Sequence, residues 1–280
     1  MAQIRLIAFD LDGTLLRDDK TVSQRTLEAL QKAADRGVLL VPASGRSVKN
    51  MPKQAVALAS GSFLIAINGA AVYNMENEEL LYRADLSRQE TERMLAYFET
   101  VPALVTCYWN GQGVVDEQDY PNLESYCLNP YTFRTMSGSY RPVADMRRKV
   151  LSGEGGVQKL QLSFADLQKR RQVLRDMLER FPEYAITSSL ENNIEINTKV
   201  ANKGQALAVL CNYLGLGPEN CMAFGDGTND LEMLTFAGMG VAMGNGVPEV
   251  RQRCRYATCT NNEDGVAVFL ERYFSELDKA

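Results

Sequence analysis

An apolar run, Ile4-Arg5-Leu6-Ile7-Ala8, ends in Phe9-Asp10-Leu11-Asp12-Gly13-Thr14-Leu15-Leu16, and this junction leaves few folds open. The run has the length and composition of a buried strand. It delivers Asp10 at its C-terminal end, and Asp12 follows in a turn that Gly13 permits. In open α/β sheets ligands bind in the crevice beyond such strand ends. Two carboxylates two residues apart suit a hard cation such as Mg2+ with a phosphate behind it. One carboxylate can attack phosphorus while the other handles protons. Taken alone, Asp-Leu-Asp-Gly is a common polar turn after a strand.

The full octapeptide, placed near the start of the chain, resembles the first motif of the haloacid dehalogenase-like phosphohydrolases. The rest of the chain tests that resemblance. Ser23 to Arg36 reads as a helix, capped by Ser23 and closed by Gly37. Val38 to Ala43 reads as a second buried strand with Pro42 at its end. Ser44-Gly45-Arg46-Ser47 then offers a hydroxyl, a glycine and free amides at a strand-to-helix junction, which is a phosphate cradle. An N-capping serine in an ordinary loop would look the same. Val41 to Arg46 resembles the second motif of the family, which implies that Ser44 bonds the transferring phosphoryl group and that Arg46 contacts substrate.

Phe63 to Ile67 reads as a third strand, followed by the turn pair Asn68-Gly69 and a hairpin of Ala71–Tyr73 with Leu80–Arg83. The resemblance gives Asn68 to the substrate, and its turn role alone also accounts for it. Further on, Asn202-Lys203-Gly204 opens a helix, with a lysine where the helix dipole disfavours one. Its position matches the third motif, which implies that Lys203 holds Asp10 and stabilises phosphoryl charge. Cys221 to Phe224 is another buried strand, delivering Gly225-Asp226-Gly227-Thr228-Asn229-Asp230. Glycines around an acid at a strand end let a carboxylate approach a metal. This stretch resembles the fourth motif. The implied ligands of Mg2+ are Asp10, Asp226 and the backbone carbonyl of Asp12, with Asp230 ligating directly or through water. Asn229 would contact metal-bound water or phosphate.

Residues 84–197 have a different character. Ser87-x-x-Glu90 is a capping box opening a helix to about Thr100. A stretch rich in Tyr, Gly, Asn and Pro follows from Tyr108 to Pro142. Val157 to Phe164 alternates as a half-buried strand with one phase slip. Asp166 to Phe181 is a charged amphipathic helix, and strands follow near Tyr184–Thr187 and Asn193–Asn197. The expected architecture is α/β: a Rossmann-like parallel-sheet core of residues 1–83 and 198–280, with an inserted α+β cap of residues 84–197 over the site. Insertion between the second and third motifs resembles the Cof-type subgroup with type IIB caps. The loop Ser188–Asn193 and the aromatic stretch around Tyr126 and Tyr131 are candidates for contact with the leaving group.

Composition agrees with this reading and narrows it. At 280 residues the chain exceeds the usual single-domain size. The absence of histidine excludes His-dependent triads, His-ligated zinc and phosphohistidine chemistry. A net charge of −5 argues against nucleic acid as partner. The six cysteines contain no Cys-x-x-Cys and suit free thiols in a reducing cytoplasm. No secretion signal is visible, and no apolar run approaches the roughly 20 residues needed to cross a membrane. The expectation is a cytoplasmic, Mg2+-dependent phosphatase of small phosphorylated metabolites, such as sugar phosphates, working through an aspartyl phosphate. Two rivals are a phosphosugar mutase on the same core and a non-catalytic phosphate-ligand-binding regulator. Binding alone does not need Asp12, which argues against the second.

Overall fold

The computed structural model describes residues 3–59, 62–77, 79–153 and 155–279. The chain divides into two compact units. The first comprises Met1–Ser44, Pro52–Tyr82 and Asn202–Ala280; the second comprises Gly45–Met51 and Arg83–Ala201. The short segment Gly45–Met51, placed in the core on sequence, belongs with the second unit.

The first unit is built on five parallel strands in the order Tyr256–Ala257, Met239–Ala242, Cys221–Gly225, Leu6–Phe9, Leu39–Pro42. Leu6 to Phe9 is fully buried because it is an interior strand, with neighbours on both edges and helices on both faces. Leu6 and Ala8 face Ala206, Leu207 and Leu210 of the helix Lys203–Leu214, within one apolar cluster. On the opposite face Phe224 meets Phe269 of the last helix, Gly265–Leu277, with ring centroids 5.6 Å apart. The helix Gln24–Ala34 lies beside that last helix, joined to it by the Arg25–Glu271 ion pair. Ser23 caps its start, as its sequence predicts, by accepting from the Thr26 amide.

The third strand, Phe63–Ala66, joins this sheet through a single bridge, Ala43 to Ile65. Its main partners are Ala71–Asn74 and then Glu79–Arg83, which form the expected hairpin in a three-stranded side sheet. The turn between the first two carries positive φ at Ile67, Asn68 and Gly69. A Cβ on Gly69 would lie 2.2 Å from the Asn202 carbonyl oxygen, so only glycine fits there.

The second unit has a six-stranded sheet in the order Tyr184–Thr187, Asn193–Thr198, Val157–Ser163, Leu104–Trp109, Gln112–Asp116, Tyr140–Val143. All neighbours are antiparallel except the last pair. The helices Arg88–Phe98 and Leu167–Arg180 cover one face, burying Met94, Leu95 and Met177 against Leu160, Leu162, Ile194 and Ile196. Ser87 and Glu90 form their capping box.

Two features differ from the sequence reading. The stretch from Tyr108 to Pro142, marked on sequence by its composition, holds the strand Gln112–Asp116, the short 3-10 segment Tyr120–Tyr126 and the helix Pro130–Ser139, and shares the strands Leu104–Trp109 and Tyr140–Val143 at its ends. Its first hairpin turns at Asn110-Gly111, both at positive φ as a type I′ turn demands. The strand Val157–Ser163 is buried along its whole length rather than on one face. Its phase slip is a β-bulge: Tyr108 pairs with Lys159 and Trp109 with Val157, leaving Gln158 as the extra residue. Among the described residues no helix is long and apolar enough to cross a membrane.

Candidate active site

Three loops at the carboxyl ends of adjacent parallel strands carry the polar residues of the first unit. Asp10 follows Phe9 directly, and its amide donates to the Phe224 carbonyl at 3.0 Å, pinning the first loop to the neighbouring strand. Asp226 follows Gly225. Ser44 lies two residues beyond Leu39–Pro42. Alignment of parallel strands therefore converts three separated positions in the chain into one locality.

Lys203 organises this locality. It is the first residue of its helix, which Asn202 caps by accepting from the Gln205 amide at 2.7 Å. Its ammonium, fully buried, donates to Asp10 Oδ1 at 2.5 Å and to Asp230 Oδ1 at 2.6 Å. These two bonds overcome the unfavourable helix position. Burial works against the charge, but Asp10 and Asp230 outweigh it and hold the lysine pKa above its ordinary value. The second oxygen of Asp230 accepts from the amides of Asp226 at 3.0 Å and Gly227 at 2.9 Å. Asp230 thus fixes the turn on which Asp226 stands.

Asp226 accepts from the Thr14 hydroxyl at 2.9 Å. Gly13 has φ +85°, and a Cβ there would lie 2.4 Å from Asp226 Oδ2, so the first and fourth motifs touch only because this residue is glycine. Ligand oxygens of Asp10, Asp226 and Asp230 all lie within 4.8 Å of one another and can hold a metal ion. Burial pushes Asp10 up to about 8 against the pull of Lys203, with Asp230 and Asp226 adding to the rise. Burial and the Asp230 charge push Asp226 up to about 6.

The other residues singled out on sequence sit as follows. The Asp12 side chain is 39% exposed, lies outside the three-aspartate cluster, and is held by Lys20 at 2.9 Å. Ser44 is buried; its amide donates to the Ile65 carbonyl, and its carbonyl accepts from the Asn68 amide. Asn68 is buried in the adjoining turn at φ 56°. Asn229 is half-buried in the short turn Thr228–Asp230. Gly45 and Arg46 fall in the second unit, where the Gly45 carbonyl accepts from Lys159 and Arg46 donates to the Asn50 carbonyl. In the same unit Asn192 donates to the Tyr126 carbonyl at 2.8 Å, joining two stretches named as leaving-group candidates; the Tyr131 side chain lies outside the described residues.

Four contributors were not anticipated. Thr14 had a signal, a hydroxyl inside the first motif. Lys20 had none, since its reach to Asp12 depends on a backbone at φ 66°. Asn245 donates to the Gly13 carbonyl at 2.8 Å, and Asn261 to the Leu16 carbonyl at 2.9 Å. Both come from the C-terminal part of the chain, and both brace the first-motif loop.

Residues 7–270 match the haloacid dehalogenase-like hydrolase family. The chain is 32% identical over 272 residues to a 5-amino-6-(5-phospho-D-ribitylamino)uracil phosphatase of Bacillus subtilis (strain 168), covering 96% of this chain and 97% of that one. It is 35% identical over 248 residues to an HMP-PP phosphatase of Enterobacter sp. (strain 638), covering 88% of this chain and 86% of the other. Its fold is similar to that of a haloacid dehalogenase-like hydrolase from Bacteroides thetaiotaomicron, with a TM-score of 0.81 and 30% identity over 97% of this chain and 100% of that one.

Proposed function

This chain belongs to the haloacid dehalogenase-like hydrolases and is a phosphatase; from that premise we propose that it hydrolyses small phosphorylated metabolites with Mg2+, through a phosphoryl group carried transiently on Asp10. The observation that carries the reading is the cluster of Asp10, Asp226 and Asp230, with Lys203 bridging Asp10 and Asp230. With all three carboxylates ionised the single ammonium leaves an excess of two negative charges, and the donors are all oxygen, which fits a hard divalent cation. Mg2+ held by Asp10, Asp226 and the Asp12 carbonyl would neutralise phosphate charge so that an anionic nucleophile can approach.

The Asp10 carboxylate attacks phosphorus in line, and the ester oxygen leaves with the alcohol. Lys203 keeps that carboxylate oriented and, with Ser44, stabilises charge on the equatorial oxygens. Asp12 protonates the leaving oxygen and then takes a proton from the water that cleaves the aspartyl phosphate. Its partial exposure beside Lys20 suits a group that must exchange protons in both steps. Asp230 holds Lys203 and the Asp226 turn, and serves the cation through them or through water. Gly45, Arg46 and Asn68 contact the substrate, Asn229 contacts metal-bound water or phosphate, and residues 84–197 select the leaving group. Sugar phosphates and similar phosphomonoesters are the proposed substrates. The Bacillus relative, whose name contains a phosphorylated ribityl chain, supports that class. The same reading places the protein in the cytoplasm, supported by six free cysteines.

The test is release of inorganic phosphate from a panel of phosphomonoesters, with Mg2+ or with a chelator, for wild type and Asp10→Asn. Metal-dependent release that disappears in Asp10→Asn is expected. Near-normal turnover by purified Asp10→Asn would overturn the role given to that residue.

A further inference from the structure

The second unit buries a charged pair on its sheet that no helix core requires. Along Val157–Ser163 side chains alternate, so Leu160 and Leu162 enter the apolar cluster while Lys159 and Gln161 point to the other face. That face is polar yet buried: Lys159 is 2% exposed and Glu195 3%. Lys159 Nζ donates to Glu195 Oε1 at 3.0 Å. Replacing such a pair with apolar side chains of similar volume is often neutral or stabilising, so its presence is weakly explained by stability.

What the ammonium holds is the informative part. Besides Glu195, it donates to the backbone carbonyl of Gly45 at 3.2 Å, and it lies 4.8 Å from the centre of the Tyr108 ring. Glu195 is itself held by Ser189 Oγ at 2.7 Å and Asn193 Nδ2 at 3.3 Å. Gly45 opens the segment Gly45–Met51, which is tied to the sheet at two further points: Asn50 Nδ2 to the Tyr108 hydroxyl at 3.4 Å, and Lys49 Nζ to Gln112 Oε1 at 2.6 Å. The tether from Lys159 is a buried charge, and it falls on the residue next to Ser44.

We propose that Lys159, neutralised by Glu195, is a positioning residue that fixes the Gly45–Arg46 backbone and thereby sets how tightly the leaving group is recognised. This rests on the reading that Gly45 and Arg46 contact substrate. A carbonyl held by a buried ammonium keeps one orientation, whereas a carbonyl held by water samples several, and small displacements of recognition groups are costly. Glu195 links the same ammonium to the loop Ser188–Asn193, so two loops are held from one point.

The experiment compares wild type with Lys159→Met, Lys159→Arg and the double variant Lys159→Met/Glu195→Gln, which leaves no unpaired charge and carries the test if Lys159→Met does not fold. Hydrogen exchange of the peptide spanning 45–51 is read first, without substrate; exchange faster by about tenfold is expected in both Met variants. Steady-state kinetics follow, with the sugar phosphate that wild type turns over best and with p-nitrophenyl phosphate, whose leaving group carries no hydroxyls. The KM for the sugar phosphate should rise by about tenfold while that for p-nitrophenyl phosphate moves by less than about twofold, and Lys159→Arg should recover part of the loss. Unchanged exchange at 45–51, or both KM values drifting together with thermal stability, would overturn the proposal. Absence of phosphate release by wild type from every substrate would instead remove the phosphatase reading, and the exchange data would still decide whether Lys159 holds the segment.

Discussion

Asp12 and Asp10 stand two residues apart in the chain, and the structure gives them opposite surroundings. Asp10 is buried against Lys203; Asp12 is partly exposed beside Lys20. Carboxylates with such different environments suit different tasks, one as nucleophile and one as proton carrier. Asp12→Asn should therefore lower turnover by about 10²–10⁴-fold, the usual contribution of general acid–base catalysis. Its side chain is not among the three clustered carboxylates, so Mg2+ affinity should stay within about twofold of wild type by calorimetric titration. A variant that loses cation binding in step with turnover would contradict this separation. That one of these carboxylates attacks phosphorus while the other handles protons was readable from the pair itself at a strand end. The identity of its partner was not readable, because Lys20 reaches back across a loop whose shape no local pattern announces.

At the scale of elements, helix caps separate stability from chemistry. Asn202 caps the helix that begins with Lys203, while Ser87 caps the helix Arg88–Phe98 in the other unit. Each cap satisfies an otherwise orphaned amide, and replacing either by alanine should cost about 1 kcal/mol in denaturant unfolding. Only Asn202→Ala should also reduce turnover, because fraying of its helix start moves the ammonium between Asp10 and Asp230. Equal losses of turnover in both variants would mean that stability alone was being measured. The Ser87 box was legible because both of its members lie within one turn. The hairpin at Asn110-Gly111 carried an equally local signal within a stretch read only as rich in Tyr, Gly, Asn and Pro. The helix Pro130–Ser139 carried a signal only at its start, Asn129 as cap and Pro130 as first residue: its sequence, Pro-Tyr-Thr-Phe-Arg-Thr-Met-Ser-Gly-Ser, combines a glycine, several hydroxyls and little helical periodicity.

For the whole molecule, the buried acids make stability depend on pH. The folded pKa values of Asp10, about 8, and Asp226, about 6, lie above the ordinary 3.8. Between those limits the folded chain binds more protons than the unfolded chain, so stability falls as pH rises from about 4 towards 8. No histidine titrates in this window, since the chain has none. In chelator, the melting temperature should decline from pH 5 to pH 8, and Asp10→Asn should flatten the decline. Adding Mg2+ should raise the melting temperature most at the alkaline end, where the carboxylates are ionised and the cation binds only the folded state. A flat wild-type profile, or one equally steep in Asp10→Asn, would remove the assigned cause.

The sequence alone determined the order of the strands' loaded ends: Asp10, Ser44 and Asp226 each follow a buried apolar run, and Lys203 opens a helix at the return from the insertion. Those features are local, since strand burial, turn chemistry and helix starts depend on a few neighbouring residues. Tertiary structure decided what each group became. It made Asp230 a clamp with both oxygens engaged, and it gave Asp226 a partner in Thr14. It also turned a strand that looked half-exposed into one buried on both faces, with Lys159 and Glu195 inside. Burial of a polar side chain depends on which distant segment comes to cover it, and its pKa depends on which charges arrive from elsewhere in the chain. Neither is encoded within reach of the residue itself.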